Sequence, residues 1–209
     1  MKAFLCTTAI NTIVYVCLIS SLRAQQAPDH GMMMEHEHST GAALSYEDLT
    51  RTAAMLEAAR KSTAKYQDVR VAEEEGFRAI GPDVPGMGIH YVRAHHTGFD
   101  VLHPDILLYE KDSAAPAGLM LVGVSYLLKA EGDQDGQPHN PPFPRSLATW
   151  HRHANLCVLP DRSVKTDLNE EQCAAEGGRF NAQTEWMVHA WIWKDSPDGV
   201  FSPTNPTVK

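Results

Sequence analysis

Leu119-Met120-Leu121-Val122-Gly123-Val124-Ser125-Tyr126-Leu127-Leu128 is the strongest apolar strand signal in the chain, entered through the turn residues Ala117-Gly118. Ten residues are half of what a membrane-spanning helix needs, so the run reads as a buried β-strand. Working outward toward the N-terminus, Pro104 to Glu110 carries Ile106, Leu107, Leu108 and Tyr109 as a second strand, and Gly88 to Val92 as a third. Pro82 to Gly88 reads as a constrained loop, and Arg93 to Asp100 as another.

Toward the C-terminus the long connection Glu131 to Pro144 leads into a strand from about Leu147 to Val158. A loop bounded by Cys157 and Cys173 follows, with a short helix expected around Asp167 to Ala175 and a turn at Gly177-Gly178. Thr184 to Lys194 reads as the last strand. Glu185, Met187, His189, Trp191 and Trp193 share one of its faces and Trp186, Val188, Ala190 and Ile192 the other, which makes it a central strand by bulk. The proline-rich tail to Pro206 cannot be regular strand, and Phe201 is its expected anchor.

Upstream of all the strands the pattern is helical. Ser45 is an N-cap with Asp48 three residues on, opening a helix to about Thr63 with Leu44, Leu49, Ala53, Leu56 and Ala59 as its apolar stripe. Lys65 to Glu75 forms a second helical segment that presents Tyr66, Val69 and Ala72 and stops at Gly76. Glu73 to Glu75 reads as a solvated helix end. Helices first and strands afterwards, without βαβ alternation, define an α+β class: N-terminal helices packed on a curved antiparallel β-sheet or partial barrel.

Lys2, the apolar run Ala9 to Ile19 and the small residues ending at Ala24 have the form of a secretory signal peptide over residues 1–24. Residues 25–43, including His30-Gly31-Met32-Met33-Met34-Glu35-His36-Glu37-His38, read as a disordered, solvated spacer whose thioethers and imidazoles also suit copper. A single domain is expected over 44–209. Signal cleavage removes two cations, Lys2 and Arg23, from the 18 Lys and Arg, and leaves 16 against 26 acidic residues, a formal charge of −10. That surface argues against nucleic acid as a partner, and the composition against stable membrane insertion after cleavage. Of the four cysteines, Cys6 and Cys17 leave with the signal. Cys157 and Cys173 then pair most simply as one disulfide in a secreted or periplasmic protein.

The chemistry-bearing pattern is histidine. Alternation along a strand puts His151 and His153 on one face, His189 can approach from a neighbouring antiparallel strand, and His90 follows a glycine-rich turn. Three or four imidazoles converging on a point would hold a transition metal, zinc or copper, with Glu185 available to orient a ligand or act as a base. The competing readings are a neutral core histidine among tryptophans, a metal-free small-molecule-binding domain with an aromatic-lined pocket, and a structural or interaction module. His95, His96, His103 and His139 fall in loops and face solvent. No Gly-x-Ser-x-Gly elbow, His-Glu-x-x-His, phosphate loop or Gly-x-Gly-x-x-Gly occurs, so the motifs assign no enzymatic activity.

Lys65-Tyr66-x-Asp68, Pro85-Gly86-Met87-Gly88-x-His90-Tyr91, Leu107-Leu108-Tyr109-Glu110, Trp186-x-x-His189-x-Trp191-x-Trp193 and Pro197-x-Gly199-x-Phe201-x-Pro203-x-Asn205-Pro206 together resemble a family of exported bacterial proteins of uncharacterised function. The resemblance runs from about Leu49 onward, and it implies the domain extent and export. It brings no activity with it.

Overall fold

Tyr46–Thr63 forms helix α1, opened by a capping box in which the Ser45 hydroxyl accepts from the Asp48 backbone N–H and the Asp48 carboxylate accepts from Ser45 in return. The computed structural model describes residues 44–93, 98–129, 131–132 and 136–209, so the expected signal peptide, the Met/His segment, His95 and His96 lie outside the described residues. A 3-10 turn, Ala64–Gln67, and helix α2, Val69–Glu74, follow. Tyr66, Val69 and Ala72 are buried as the periodicity predicts. The α1 stripe is rotated from its expected position: Thr52, Ala59 and Thr63 are buried while Leu49 is 45% exposed. Near its C-terminal end the helix is held by the segment after β8, where Arg60 donates to the Ile192 carbonyl and the Trp193 indole N–H donates to the Thr63 hydroxyl, while Leu49 and Ala53 nearer its start line a cleft.

Strands β1 (Phe77–Val84), β2 (Gly88–Arg93), β3 (Ile106–Lys111), β4 (Leu119–Leu128) and β8 (Trp186–Ala190) form an open antiparallel sheet in that order. β5 (Ala154–Val158), β6 (Val164–Lys165) and β7 (Arg179–Gln183) make a smaller sheet in the order β6-β5-β7, with the short helix α3 (Glu170–Ala175) beside it. The α+β class with a curved antiparallel sheet is therefore the observed one. Three boundaries differ from the sequence reading. β1 runs through Pro82, which sits at the outer edge of the sheet where no ladder donor is needed. The strand expected over 147–158 is regular only from Ala154, and the one expected over 184–194 ends at Ala190.

The large sheet is apolar on both sides. One face packs under α1 and α2 through Tyr91, Leu107, Tyr109, Leu121, Val124, Tyr126, Trp186, Val188 and Ala190. The other carries Ile106, Leu108, Val122, Met187 and Trp191, covered by Val208 from the tail. Between β3 and β4 the register slips from Leu108↔Gly123 to Tyr109↔Leu121, a bulge at Val122 that adds local twist and bends the sheet. Gly88 must be glycine, because its φ is +73° and a Cβ there would lie 2.2 Å from the Tyr109 carbonyl oxygen.

The irregular tail is fixed by polar contacts rather than by a ladder. Lys194 Nζ donates to both Glu110 carboxylate oxygens at 2.6 and 2.8 Å, and the Trp191 indole N–H donates to the Ser202 carbonyl at 2.8 Å. The fully buried Asn205 amide donates to the Lys194 and Asp195 carbonyls, and its backbone N–H to the Gly86 carbonyl at 2.7 Å. Phe201 is 3% exposed and anchors the tail as expected. The Cys157–Cys173 disulfide is present, fully buried, with a Cα–Cα distance of 5.7 Å.

Candidate functional site: a buried imidazole cluster

Each histidine reaches the cluster by a different piece of local structure. His189 is the fourth residue of β8, and alternation turns it away from Val188 and Ala190 toward the face that carries Trp191. It is fully buried. His90, the third residue of β2, pairs with Leu108 and projects to the same face, since its neighbours Ile89 and Tyr91 pack on the helical side. β8 is an edge strand in the sheet order, not a central one. Its free edge is closed by His151, which exchanges both backbone hydrogen bonds with Met187, at 2.9 and 2.8 Å.

The single strand expected over 147–158 is thus two pieces, the His151 bridge and β5. His151 pairs with Met187 but Ala154 pairs with Gln183, so three residues on one side oppose four on the other. The extra residue lies in the break between β7 and β8, where Thr184 and Glu185 sit, and strict alternation does not carry Glu185 to the face of His189. Asn155, at φ +54°, breaks alternation again, leaving Asn155 exposed and Cys157 buried. His151 and His153 nevertheless stay neighbours.

The ring centres form a chain: His90 to His189 at 5.8 Å, His189 to His151 at 5.1 Å, and His151 to His153 at 5.3 Å. For comparison, two imidazoles bound to one tetrahedral ion, with metal–nitrogen bonds of about 2.0–2.1 Å, have ring centres roughly 5 Å apart. Among the described residues no group of three or more His, Cys, Asp or Glu side chains is arranged as a ready metal-binding set. The rings stand at ligand spacing, and their nitrogens do not converge without side-chain rotation.

Backbone carbonyls engage three of the rings. His189 Nδ1 lies 2.7 Å from the Pro203 carbonyl oxygen, His151 Nδ1 lies 3.3 Å from that of Thr149, and His90 hydrogen-bonds the Gly88 backbone. A carbonyl can only accept, so His189 carries its proton on Nδ1 and presents a bare lone pair at Nε2. That Nε2 is buried and has no hydrogen-bond partner. Across the β4–β8 ladder, Ser125 is directly opposite His189, fully buried, and its Oγ is likewise without a partner.

Electrostatically the cluster is held neutral. Burial pushes the His189 pKa down to about 3, and the neighbouring His90 and His151 would repel a proton there. His90 is pushed down to about 4 by burial first and then by His153 and His151. Burial also lowers His151 and His153, which lie nearer the surface. Neutral imidazoles are the form that binds metals.

His103 and His139 are exposed, as expected, with His103 beside the Asp100 carboxylate at 2.8 Å. A cleft of about 540 Å³ lies between α1 and the tail, lined by Leu49, Leu56, Leu147 and Phe201. Its wall includes Thr149 and Pro203, whose carbonyls hold His151 and His189, and includes no histidine or tryptophan. Among the described residues no helix is long and apolar enough to cross a membrane. The sequence reading missed Ser125, which sits inside an apolar run. The signal that could have found it is a hydroxyl at a position whose neighbours two residues away are Gly123 and Leu127, on a strand otherwise built for burial.

The fold and the cluster define an α+β domain with four histidines gathered on one side of its large sheet. No protein-family model, curated protein or solved structure matches the chain.

Proposed function

We propose that this domain binds a transition metal ion, zinc or copper, through three imidazoles, His189, His90 and His151, with a fourth position left to a non-protein ligand and His153 packed against His151. The observation that carries the reading is His189: fully buried, its Nδ1 committed to the Pro203 carbonyl, its Nε2 unpartnered and flanked by two further rings at 5.1 and 5.8 Å. An orphaned buried acceptor costs about 1–3 kcal/mol, and ligation removes that cost. Carbonyls that fix the far nitrogen of an imidazole are also the usual support for a metal ligand. Donors without charge and with borderline softness suit zinc and copper, and do not suit magnesium or calcium.

Export is part of the same proposal, on the buried disulfide and the N-terminal apolar run, as is membership of the exported bacterial family that the motifs resemble. The test uses untagged protein lacking residues 1–24, stripped with chelator and titrated with zinc or copper. One equivalent should bind, and at a free metal concentration of about one hundred times Kd the melting temperature should rise by about 5–10 °C. Copper should quench Trp191, whose ring centre is 5.7 Å from that of His189. His189→Ala should abolish all three effects. Binding of less than a tenth of an equivalent by the wild type would refute the proposal.

A further inference from the structure

Ser125 is the second orphan on the histidine face, and its position is set by register. β2 and β8 are separated in the sheet by β3 and β4. The residues that bridge the interval on the face of His90 and His189 are Leu108, paired with His90, then Gly123, paired with Leu108, and Ser125, paired with His189. Val124 and Tyr126 pack on the opposite, helical side, so the Ser125 hydroxyl must point to the imidazoles. Gly123 adds no side chain to this floor. The hydroxyl is fully buried and unpartnered, and the lone pair across from it at His189 Nε2 is unpartnered as well.

Two buried polar groups opposite each other on one face of a sheet, neither bonded to protein, are rare in a folded core. They do not bond each other, and a metal on Nε2 alone would satisfy the histidine and leave the serine stranded. A ligand that spans them satisfies both. We propose, on the basis of the metal reading above, that Ser125 hydrogen-bonds a non-protein ligand of the bound ion, a solvent oxygen that exchanges for a small anion. Ser125 is then a positioning residue: it does not touch the metal, and it selects and orders what the metal carries. Ile106, Leu108 and Val122 are buried on the same face, and the Ser125 hydroxyl, paired across from His189, is an unpartnered donor beside the imidazole.

The experiment uses cobalt(II) as the spectroscopic metal and azide as the anion, in the full disulfide-bonded domain. Wild-type protein should take up one cobalt with visible d–d bands that shift on azide addition. Ser125→Ala removes one buried oxygen and adds nothing, so it should fold, melt no lower than wild type without metal, bind cobalt within about threefold, and bind azide about tenfold more weakly. Equal azide affinity in the two proteins, with cobalt bound by both, overturns this inference and leaves the metal site standing. A lower melting temperature of metal-free Ser125→Ala with unchanged azide binding makes Ser125 a core partner of His189, and overturns it too. Failure of the wild type to bind cobalt, zinc or copper removes the metal reading, and this inference with it.

Discussion

Metal-free protein should lose about 4–5 kcal/mol of stability between pH 6.5 and 4.5, a window that lies mostly above the ordinary carboxylate range. His189 and His90 are neutral in the folded state because burial holds their pKa values at about 3 and about 4, against 6.5 in an unfolded chain. Below pH 6.5 the unfolded chain takes up protons that the folded state refuses, so acid favours unfolding. The stabilisation is fully present above pH 6.5 and is lost as pH falls toward the folded-state values. Each histidine approaches a slope of about 1.4 kcal/mol per pH unit, and integrating both from pH 6.5 to 4.5 gives a loss of about 4–5 kcal/mol. A total stability of about 5–15 kcal/mol makes that loss easy to see. The assay is urea denaturation in chelator, followed by far-UV circular dichroism at half-unit pH intervals with the disulfide intact. His189→Asn, whose side-chain amide occupies the Nδ1 position and can still donate to the Pro203 carbonyl, should roughly halve the pH dependence. A wild-type unfolding free energy that stays within about 1 kcal/mol from pH 6.5 to 4.5 would refute the buried neutral cluster.

Two further outcomes follow from the scaffold. Opening the disulfide with Cys157→Ser and Cys173→Ser together should cost about 3 kcal/mol, measured as the loss in urea-unfolding free energy, since the bridge closes a loop of 16 residues in sequence separation. Gly88→Ala should fold poorly or not at all, because its Cβ would lie 2.2 Å from the Tyr109 carbonyl oxygen at a backbone φ of +73°. Soluble yield and a thermal melt of that variant check the point, and a near-native melt would show that β2 can move away from β3.

Much of the local structure was legible before any coordinates. The capping box at Ser45, the buried Tyr66, Val69 and Ala72, the full extent of β4 and the alternation of Trp186, Val188 and Ala190 against Met187 and His189 all rest on contacts within a few residues or on a period of two, and the disulfide follows from the cysteine count. Such patterns are written in sequence spacing and need no partner to be read. The strand through His151 was legible only in part, because its break arises from pairing with β7 and β8, about thirty residues away, whose extra residue shifts the register. The rotated stripe of α1 failed for a similar reason: which helical face is buried depends on where the sheet meets it.

The identity of the four histidines could be read from residue spacing, but their assembly could not. Three inter-strand steps across a flat sheet would separate β2 from β8 by about 14 Å. The rings of His90 and His189 are nonetheless 5.8 Å apart, on a sheet whose register slips by a bulge at Val122. Curvature is a property of the whole ladder. Likewise, only the folded tail brings the Pro203 carbonyl to His189 Nδ1, which decides the tautomer and leaves Nε2 without a partner. Spacing along the chain therefore determined which imidazoles could share a face, and the bend of the sheet together with the docked tail decided that they meet and which nitrogen they offer.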